Sequence, residues 1–334
     1  MFRGTAILLT LCCLSSADWT SYKREFYKNY SPDEDAFRRQ IYEQSVREMN
    51  EHNVLYEQNR TSWRQGLTVF SDMTEEERSG ITGSLRGMGN FSASSFGTFP
   101  PIFHKGRPPA SVDWRKSKCV APPKNQYGPG DCRRTCWAFA TTGVLEYYYC
   151  KKHGKLESFS EKYLVDCVFT VQGCQGGLFE KAMDHLFWTM NIPSEKSYPY
   201  TTFFGECREP GNDLFDLSDV KGFERLHGDE ELLKAVAFRG PVVAYMLTEG
   251  ANLGTFRPTS EDDIFRADSC ASTQQGRFDH AVVVVGYGSN QNGKYWIVKN
   301  SWGTNWGQNG YFKLSRDGGN YCNISDFVFV PKYR

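Results

Sequence analysis

Cys136 occupies a position suited to nucleophilic chemistry. Residues 132–137 read CRRTCW, and a helical pattern runs from Cys136 to about Lys151. In the first turn of a helix, unpaired backbone N–H groups and the positive end of the dipole favour a thiolate. A thiolate attacks a carbonyl carbon and forms a covalent acyl intermediate. The position of Cys136 therefore predicts acyl transfer.

His280 and Asn300 have the residue types that such a thiol needs. His280 stands at the entrance to an apolar strand, residues 281–285, which would hold its ring rigidly. A neighbouring imidazolium lowers the pKa of a thiol, and the amide oxygen of Asn300 can orient the ring. Trp302 would cover the hydrogen bond between Asn300 and His280, and exclusion of water strengthens that bond.

Gln126 completes the predicted site on the other side of the nucleophile. Its side-chain N–H would bind the oxyanion of the tetrahedral intermediate together with the backbone N–H of Cys136. One such donor contributes roughly a hundred- to a thousandfold in rate.

These residues belong to ordered motifs that resemble the papain-like cysteine proteases of the cathepsin type. His280 lies 144 residues after Cys136, and Asn300 lies 20 residues after His280, which agrees with the family spacing. Further similar motifs are ASVDWR at 110–115, GCQGG at 173–177, GYG at 286–288 and NSWG at 300–303. The resemblance implies a Cys136 nucleophile, a His280 acid and base, an orienting Asn300 and an oxyanion donor, Gln126. It implies neither a cofactor nor a metal.

The amino-terminal part resembles the inhibitory propeptide of the same family. Its ERFNIN-type pattern maps onto Glu34, Arg38, Ile41, Tyr42, Ser45, Met49 and Asn53, and residues 66–72 (GLTVFSD) match a second propeptide motif. The resemblance implies that this segment covers the cleft, runs opposite to the substrate direction and is removed on activation, often at acidic pH. Protonation of carboxylates such as Asp72 would be the trigger.

The chain departs from the family pattern beside the nucleophile. Five residues separate Gln126 from Cys132 and three separate Cys132 from Cys136, where the family usually has two in each place. The favoured interpretation is a bulge that projects outward and leaves Cys136 on its helix. The alternative is a misplaced oxyanion hole and a weak or silent protein.

Two structural interpretations of the cysteines compete with catalysis. Cys136 would otherwise be a buried packing thiol, but the accompanying Gln, His and Asn argue against this. A zinc site built from Cys132, Cys136, Cys150 and His153 is disfavoured because cysteines in an oxidising compartment tend to form disulfides.

The elements that must position these residues indicate an α+β fold. Helical patterns cover residues 136–151, 178–190 and 229–238, and strand patterns cover 281–285, 295–298, 311–314 and 327–330. Helices early and strands late predict two lobes with a cleft between them. By resemblance this is the papain-like fold, with a helical left lobe and a β-barrel-like right lobe. A helical propeptide precedes it, and its main helix is predicted to begin at Ser31-Pro32.

The composition and the first residues of the chain indicate its compartment and the partners that it can bind. The 334 residues carry 39 Lys+Arg and 39 Asp+Glu, so zero net charge argues against nucleic-acid or electrostatic membrane binding. Residues 1–17 have a short positive start, an apolar run and a small-residue cleavage pattern, as in a secretory signal peptide. No membrane anchor is predicted to follow. We expect a signal peptide at 1–17, a propeptide with linker at 18–107 and a peptidase domain at 108–334.

The eleven cysteines fit an oxidising route. Two leave with the signal peptide. By resemblance six form the bridges Cys132–Cys174, Cys167–Cys207 and Cys270–Cys322. Cys119 and Cys150 either pair with each other or both stay as buried thiols, which leaves Cys136 as the thiol that chemistry requires. Sequons predict glycosylation at Asn59, Asn90 and Asn323.

The resemblance also implies where the substrate binds. The matching positions are Gly176, Gly177, Leu178, Phe179, Phe278, Ala281, Trp302 and Phe327. Among them, Leu178, Phe179, Phe278, Ala281 and Phe327 match the lining of the S2 pocket. A lining so apolar and narrow predicts a preference for Leu or Val over Arg or bulky aromatics. The sequence therefore predicts a monomeric secreted or lysosomal endopeptidase zymogen. Its expected partners are protein or peptide substrates, its own propeptide and cystatin-type inhibitors. The alternative is a papain-like binding protein.

Overall fold

The computed structural model describes residues 18–82, 106–266 and 278–333. The predicted signal peptide, Asn90, most of the linker and Cys270 lie outside these residues. Within the described part of the chain, no helix is long and apolar enough to cross a membrane.

Three helices form the amino-terminal segment: α1 (Trp19–Glu25), α2 (Pro32–Glu57) and α3 (Glu75–Thr82). The predicted start of α2 is confirmed, because the Ser31 side chain accepts the backbone N–H of Glu34 and Pro32 occupies the first turn. The helices enclose a small core of their own, formed by Trp19, Tyr22, Tyr42 and Leu67. This core is much smaller than the two clusters of the following domain. The segment therefore depends on contacts with the rest of the chain.

Four helices follow in the larger domain. They are α4 (Cys136–His153), α5 (Glu161–Cys167), α6 (Phe179–Thr189) and α7 (Asp229–Phe238). Three of the four had been predicted, and their observed ends lie within two residues of the predicted ones. Helix α4 is buried along nearly its whole length. A helix buried on all sides is rigid, and this one carries Cys136 at its first residue.

The strands form one large antiparallel sheet and a small pair. The bounds are β1 (Val112–Asp113), β2 (Asn191–Pro193), β3 (Leu214–Asp216), β4 (Val220–Leu226), β5 (Val242–Met246), β6 (His280–Asn290), β7 (Gly293–Lys299), β8 (Tyr311–Ser315) and β9 (Val328–Tyr333). The large sheet has the order β4-β9-β5-β6-β7-β8, and β1 pairs with β6. The α+β class is confirmed. The expected barrel is not, because the described strands form an open sheet rather than a closed one.

Strand β6 separates the two main cores. Ala281, Val283 and Val285 face the cluster that contains α4, whereas Val282 and Val284 face the cluster that contains α7. Successive side chains of a strand point to opposite faces, so burial on both faces explains the unbroken apolar run. The predicted strand stopped at residue 285. The observed one continues through a register shift at Gly286, where a Cβ would lie 2.3 Å from the Val112 carbonyl oxygen.

Candidate active site

Cys136 begins α4 and is fully buried. It is the only cysteine among the described residues that is not in a disulfide. The backbone N–H of Ala281 on β6 lies 3.4 Å from its Sγ atom. The nucleophile predicted on the helix therefore meets the sheet at the residue next to His280.

His280 and Asn300 form the predicted hydrogen bond. His280 Nε2 lies 2.8 Å from Asn300 Oδ1, which identifies Nε2 as the protonated ring nitrogen, because a carbonyl oxygen only accepts. Nδ1 is buried and has no hydrogen-bond partner among the described residues. Burial lowers the pKa of His280 to about 4, and the Asn300 bond opposes this shift. The ring is therefore neutral in this covered state, with a basic Nδ1.

The strands explain why this pair is fixed. His280 is the first residue of β6 and pairs with Met246, and Asn300 directly follows β7. Strands β6 and β7 are neighbours, with Val283 opposite Lys299. The indole of Trp302 lies 5.1 Å from the His280 ring, centroid to centroid, and is itself only 4% exposed. The Trp302 indole therefore lies beside the imidazole of this pair.

Gln126 connects the two sides of the site. Its Oε1 accepts the Ser301 hydroxyl at 2.6 Å, and its backbone N–H donates to the Ser301 carbonyl at 2.8 Å. Its Nε2 donates to the Arg133 carbonyl at 2.6 Å. An amide nitrogen carries two hydrogens, so one remains for another acceptor. Gln126 is therefore bonded on one side to Ser301, the residue after Asn300. On the other side it is bonded to Arg133, in the loop that precedes Cys136.

The extra residues form a turn away from α4. Gly128 and Pro129 are exposed, while Gly130 is buried against Thr202. The Gly130 N–H donates to Thr202 Oγ1 at 3.0 Å, and the Cys132 N–H donates to the Thr202 carbonyl at 2.8 Å. A Cβ at Gly130 would lie 2.1 Å from that carbonyl oxygen, so glycine permits this approach. This geometry agrees with the outward bulge.

Tyr200 was missed by the sequence analysis. Its hydroxyl lies 2.8 Å from Thr135 Oγ1 and donates to the carbonyls of Gln126 at 3.1 Å and Cys132 at 3.3 Å. It therefore ties together both ends of the inserted loop and the residue before the nucleophile. A single sequence carries no signal that a residue about 70 positions downstream supports this loop.

The two inserted arginines point to different partners. Arg133 Nε donates to the Gly130 carbonyl at 2.8 Å, within the inserted loop. Arg134 Nε donates to the Gly80 carbonyl in α3, also at 2.8 Å. The guanidinium of Arg133 therefore stays with its own loop, and that of Arg134 binds the amino-terminal segment.

The predicted substrate pocket requires correction. Phe179 is fully buried and packs on Phe223 and Phe329, so it belongs to the core rather than to an open pocket wall. Leu178 is also buried. Phe278 packs on Phe327, with centroids 4.6 Å apart.

Tyr245 lies behind these rings and was missed by the sequence analysis. Its ring is 4.9 Å from Phe278, and its hydroxyl donates to Glu180 and accepts the Phe179 N–H. The floor is therefore aromatic. Glu180, an acid behind this floor, is buried and bonded to Tyr245.

Gly176 and Gly177, two of the predicted substrate-binding positions, lie near α4. Gly176 has a φ of +138°, which favours glycine, and a Cβ at Gly177 would lie 2.3 Å from the Trp137 ring. Both places thus require glycine for backbone shape and for close packing against α4.

Three disulfides are present among the described residues. Cys132–Cys174 and Cys167–Cys207 are the bridges that the resemblance implied, and Cys119–Cys150 resolves the open alternative in favour of pairing. Cys322 is also in a disulfide, and its implied partner Cys270 lies outside the described residues. Because Cys132 and Cys150 are oxidised, they cannot serve as the zinc ligands of the competing interpretation.

Two predicted glycosylation sites can be placed. Asn59 is exposed in the turn after α2, as an acceptor requires. Asn323 is 2% exposed, so its side chain would have to leave this position to carry a glycan.

The amino-terminal segment docks onto the sheet side of the domain. Trp63 and Phe70 join the core cluster around α7, and Trp63 Nε1 donates to the Arg266 carbonyl at 3.0 Å. Phe70 packs edge-on against Tyr127 at 4.9 Å and Trp302 at 5.2 Å. The segment therefore contacts both the inserted loop and the cover of His280.

Charged contacts hold this segment together. Asp72 is buried, accepts Lys28 Nζ at 2.9 Å and accepts the Tyr30 hydroxyl at 2.6 Å. Arg38 makes a two-pronged bond to Glu77, at 2.5 and 2.7 Å. That guanidinium is the main cause of the lowered pKa of Glu77.

Comparison with known proteins identifies the family. The model of the papain family cysteine protease matches residues 108–332, and the cathepsin propeptide inhibitor domain (I29) matches residues 19–77. The chain therefore belongs to the papain family and is a papain-like cysteine peptidase with a cathepsin-type propeptide domain.

The relatives are cathepsin L-like. A cathepsin L-like proteinase of Fasciola hepatica is 36% identical over 330 residues, covering 97% of this chain and 96% of the relative. Procathepsin L of Mus musculus is 36% identical over 324 residues, covering 95% and 92%. The solved structure of digestive procathepsin L2 proteinase from Tenebrio molitor larval midgut has a TM-score of 0.82 at 34% identity. It covers 94% of this chain and 98% of that one.

Proposed function

We propose that this peptidase is an endopeptidase zymogen that works through a Cys136 thioester. The carrying observation is that Cys136 Sγ contacts Ala281, the residue next to His280. His280 Nε2 is held by Asn300, and its Nδ1 has no partner in the part of the chain that the structure describes. This arrangement leaves Nδ1 available as the basic atom.

The acylation step follows from these contacts. The Cys136 thiol transfers its proton to His280 Nδ1, and the sulfur forms a bond with the substrate carbonyl carbon. The oxyanion accepts hydrogen bonds from the Cys136 N–H and the remaining N–H of Gln126. As the C–N bond breaks, His280 returns the proton to the leaving amine.

Deacylation reverses the roles. His280 Nδ1 takes a proton from water, and the hydroxide attacks the thioester carbon. The C–S bond then breaks, the acid product leaves, and the proton returns to sulfur. Asn300 keeps the ring oriented throughout, and Trp302 keeps water from the Asn300–His280 bond.

The amino-terminal segment would act as an intramolecular inhibitor. Support comes from its contacts with Trp302 beside the His280 ring, with Tyr127 of the inserted loop, and with Arg134, two residues before the nucleophile. The proposal also includes signal cleavage after residue 17 and a mature start near residue 108. It further includes glycosylation at Asn59 and lysosomal or extracellular targeting. Monomeric action and inhibition by cystatin-type proteins are further parts of it.

The pocket residues support a preference for medium aliphatic side chains at the second position before the cut. Phe278, Phe327 and Tyr245 fill the floor, so space for a bulky aromatic is reduced. Glu180 is engaged by Tyr245 and does not offer a carboxylate to Arg. A substrate-library profile dominated by Arg at this position would contradict the preference.

One experiment separates the proposal from a papain-like binding protein. The purified full chain is exposed to acid, then assayed with a Leu-Arg fluorogenic peptide and with an epoxide thiol inhibitor, beside Cys136→Ala. We expect turnover and labelling in the wild type and neither in the variant. Labelling without turnover would indicate a damaged oxyanion hole, and the absence of both would favour the binding protein.

A further inference from the structure

Arg134 lies two residues before the nucleophile, and it is half-buried. Its backbone N–H donates to the Cys174 carbonyl at 3.3 Å. Cys174 is bridged to Cys132 and stands two residues before Gly176, a predicted substrate-binding position. The backbone of Arg134 is thus fixed between the nucleophile's helix and the glycine segment.

The guanidinium of Arg134 binds the inhibitory segment. Its Nε donates to the Gly80 carbonyl at 2.8 Å. Gly80 lies in the last turn of α3, where backbone carbonyls lack helical partners and carry the negative end of the dipole. In the zymogen, therefore, the Arg134 guanidinium is bonded to the partly negative carbonyl oxygen of Gly80.

No carboxylate of the described residues forms an ion pair with Arg134, although several other arginines of the domain have one. The contrast with the adjacent Arg133 is informative. Arg133 donates to the Gly130 carbonyl and lies 3.9 Å from an Asp131 oxygen, so it faces the inserted loop. Only Arg134 of this pair faces the segment that leaves on activation.

We propose that Arg134 is a specificity-determining residue that favours an Asp or Glu side chain in the substrate immediately beside the scissile bond. This inference rests on the proposed endopeptidase function. Once the segment is removed, the donors that bound the Gly80 carbonyl face the cleft next to Cys136. A substrate carboxylate offers them a full charge and two oxygens, which suits a guanidinium better than a neutral amide does.

The test compares matched peptides after acid activation of the full chain. Each peptide carries Leu at the second position before the cut, and either Glu or Gln directly before or directly after the scissile bond. At one of these two positions we expect kcat/KM to favour Glu by about three- to tenfold. Raising the salt concentration should reduce this ratio, because solvent-exposed charges are screened.

Variants assign the preference to one side chain. Arg134→Ser should bring the Glu-to-Gln ratio to about one, whereas the matched control Arg133→Ser should keep the wild-type ratio. Arg134→Glu should invert the preference and favour Lys at the same position. Turnover of the Gln peptide serves as the internal control for folding and for the catalytic machinery.

The outcomes are separable from those of the proposed function. Normal turnover with equal kcat/KM for the Glu and Gln peptides would overturn this inference alone. A preference for Glu that persists in Arg134→Ser would do the same. If turnover is absent, the preference is measured with thiol-reactive peptidyl inhibitors that carry Glu or Gln at the same position. The ratio of their labelling rates then replaces the ratio of kcat/KM, because labelling requires no cleavage of an amide. Absence of both turnover and labelling would overturn the proposed function and this inference together.

Discussion

The two halves of the active site are built differently. His280 and Asn300 belong to the ends of neighbouring antiparallel strands, whose ladders fix both backbones. Gln126 lies in a loop that reaches Thr135 without a helix or strand. This loop is held by the Cys132–Cys174 bridge and by hydrogen bonds from scattered positions.

This difference determines how each half tolerates change. An insertion inside β6 would move every following side chain to the opposite face, so the strand half has little freedom in length. A loop absorbs extra residues if its ends stay in place. Here Ser301 and Tyr200 keep the ends in place, and the added residues turn outward.

The strand half should be the more sensitive to loss of its side chain. We expect His280→Ala to lower kcat by roughly ten thousandfold or more, because proton transfer to and from sulfur loses its only base. Single-turnover and steady-state assays on the acid-activated enzyme measure this. A loss below a hundredfold would mean that another group serves as the base.

The loop half should show an intermediate loss. We expect Gln126→Ala to lower kcat by roughly a hundred- to a thousandfold with a small change in KM, since its donor acts mainly on the oxyanion. Ser301→Ala keeps the amide and removes only the hydroxyl bonded to Oε1, so its effect should be smaller. Equal losses in the two variants would show that orientation of the amide accounts for the whole effect.

Loss of a side chain that only supports the loop should lower activity less than loss of Gln126. Tyr200→Phe removes the hydroxyl that joins Gln126, Cys132 and Thr135, and we expect kcat to fall by about fivefold. Tyr333→Phe is the matched control, because its buried hydroxyl has no partner in the described part of the chain. Comparable losses in both variants would assign the effect to general stability.

The smallest expected effect concerns release of the segment that covers both halves. Burial lowers the pKa of His52, which stacks on Trp63 and bonds its carbonyl at 3.0 Å. The docked state therefore favours neutral His52. As pH falls below about 6.5, the released segment binds a proton more readily and docking weakens.

Glu77 titrates in a lower range. Its pKa is already lowered by Arg38, so the stability that it contributes is lost only as pH falls below about 4.5. We therefore expect His52→Gln to slow activation severalfold between pH 5 and 6 and to have little effect below pH 4. Rates of propeptide loss on gels measure this, with the exposed His153→Gln as the control. Unchanged rates at pH 5 to 6 would exclude His52 as the trigger.

Much of the fold was predictable because its signals are local. The capping pattern at Ser31-Pro32 specified the start of α2, and the run of residues 281–285 specified a strand buried on both faces. The errors arose where a residue's role depends on distant partners. Phe179 looked like a pocket residue but packs in the core against Phe223 and Phe329.

The sequence by itself determined which groups are available for chemistry: a thiol at a helix start, an imidazole at a strand entrance and an amide to orient it. These depend on residue type and on short-range pattern. Only the tertiary structure decided that the inserted loop turns outward, that Tyr200, Thr202 and Tyr245 support the site, and that Cys119 pairs with Cys150. The physical reason is that these contacts join residues far apart in the chain, and only folding brings them together.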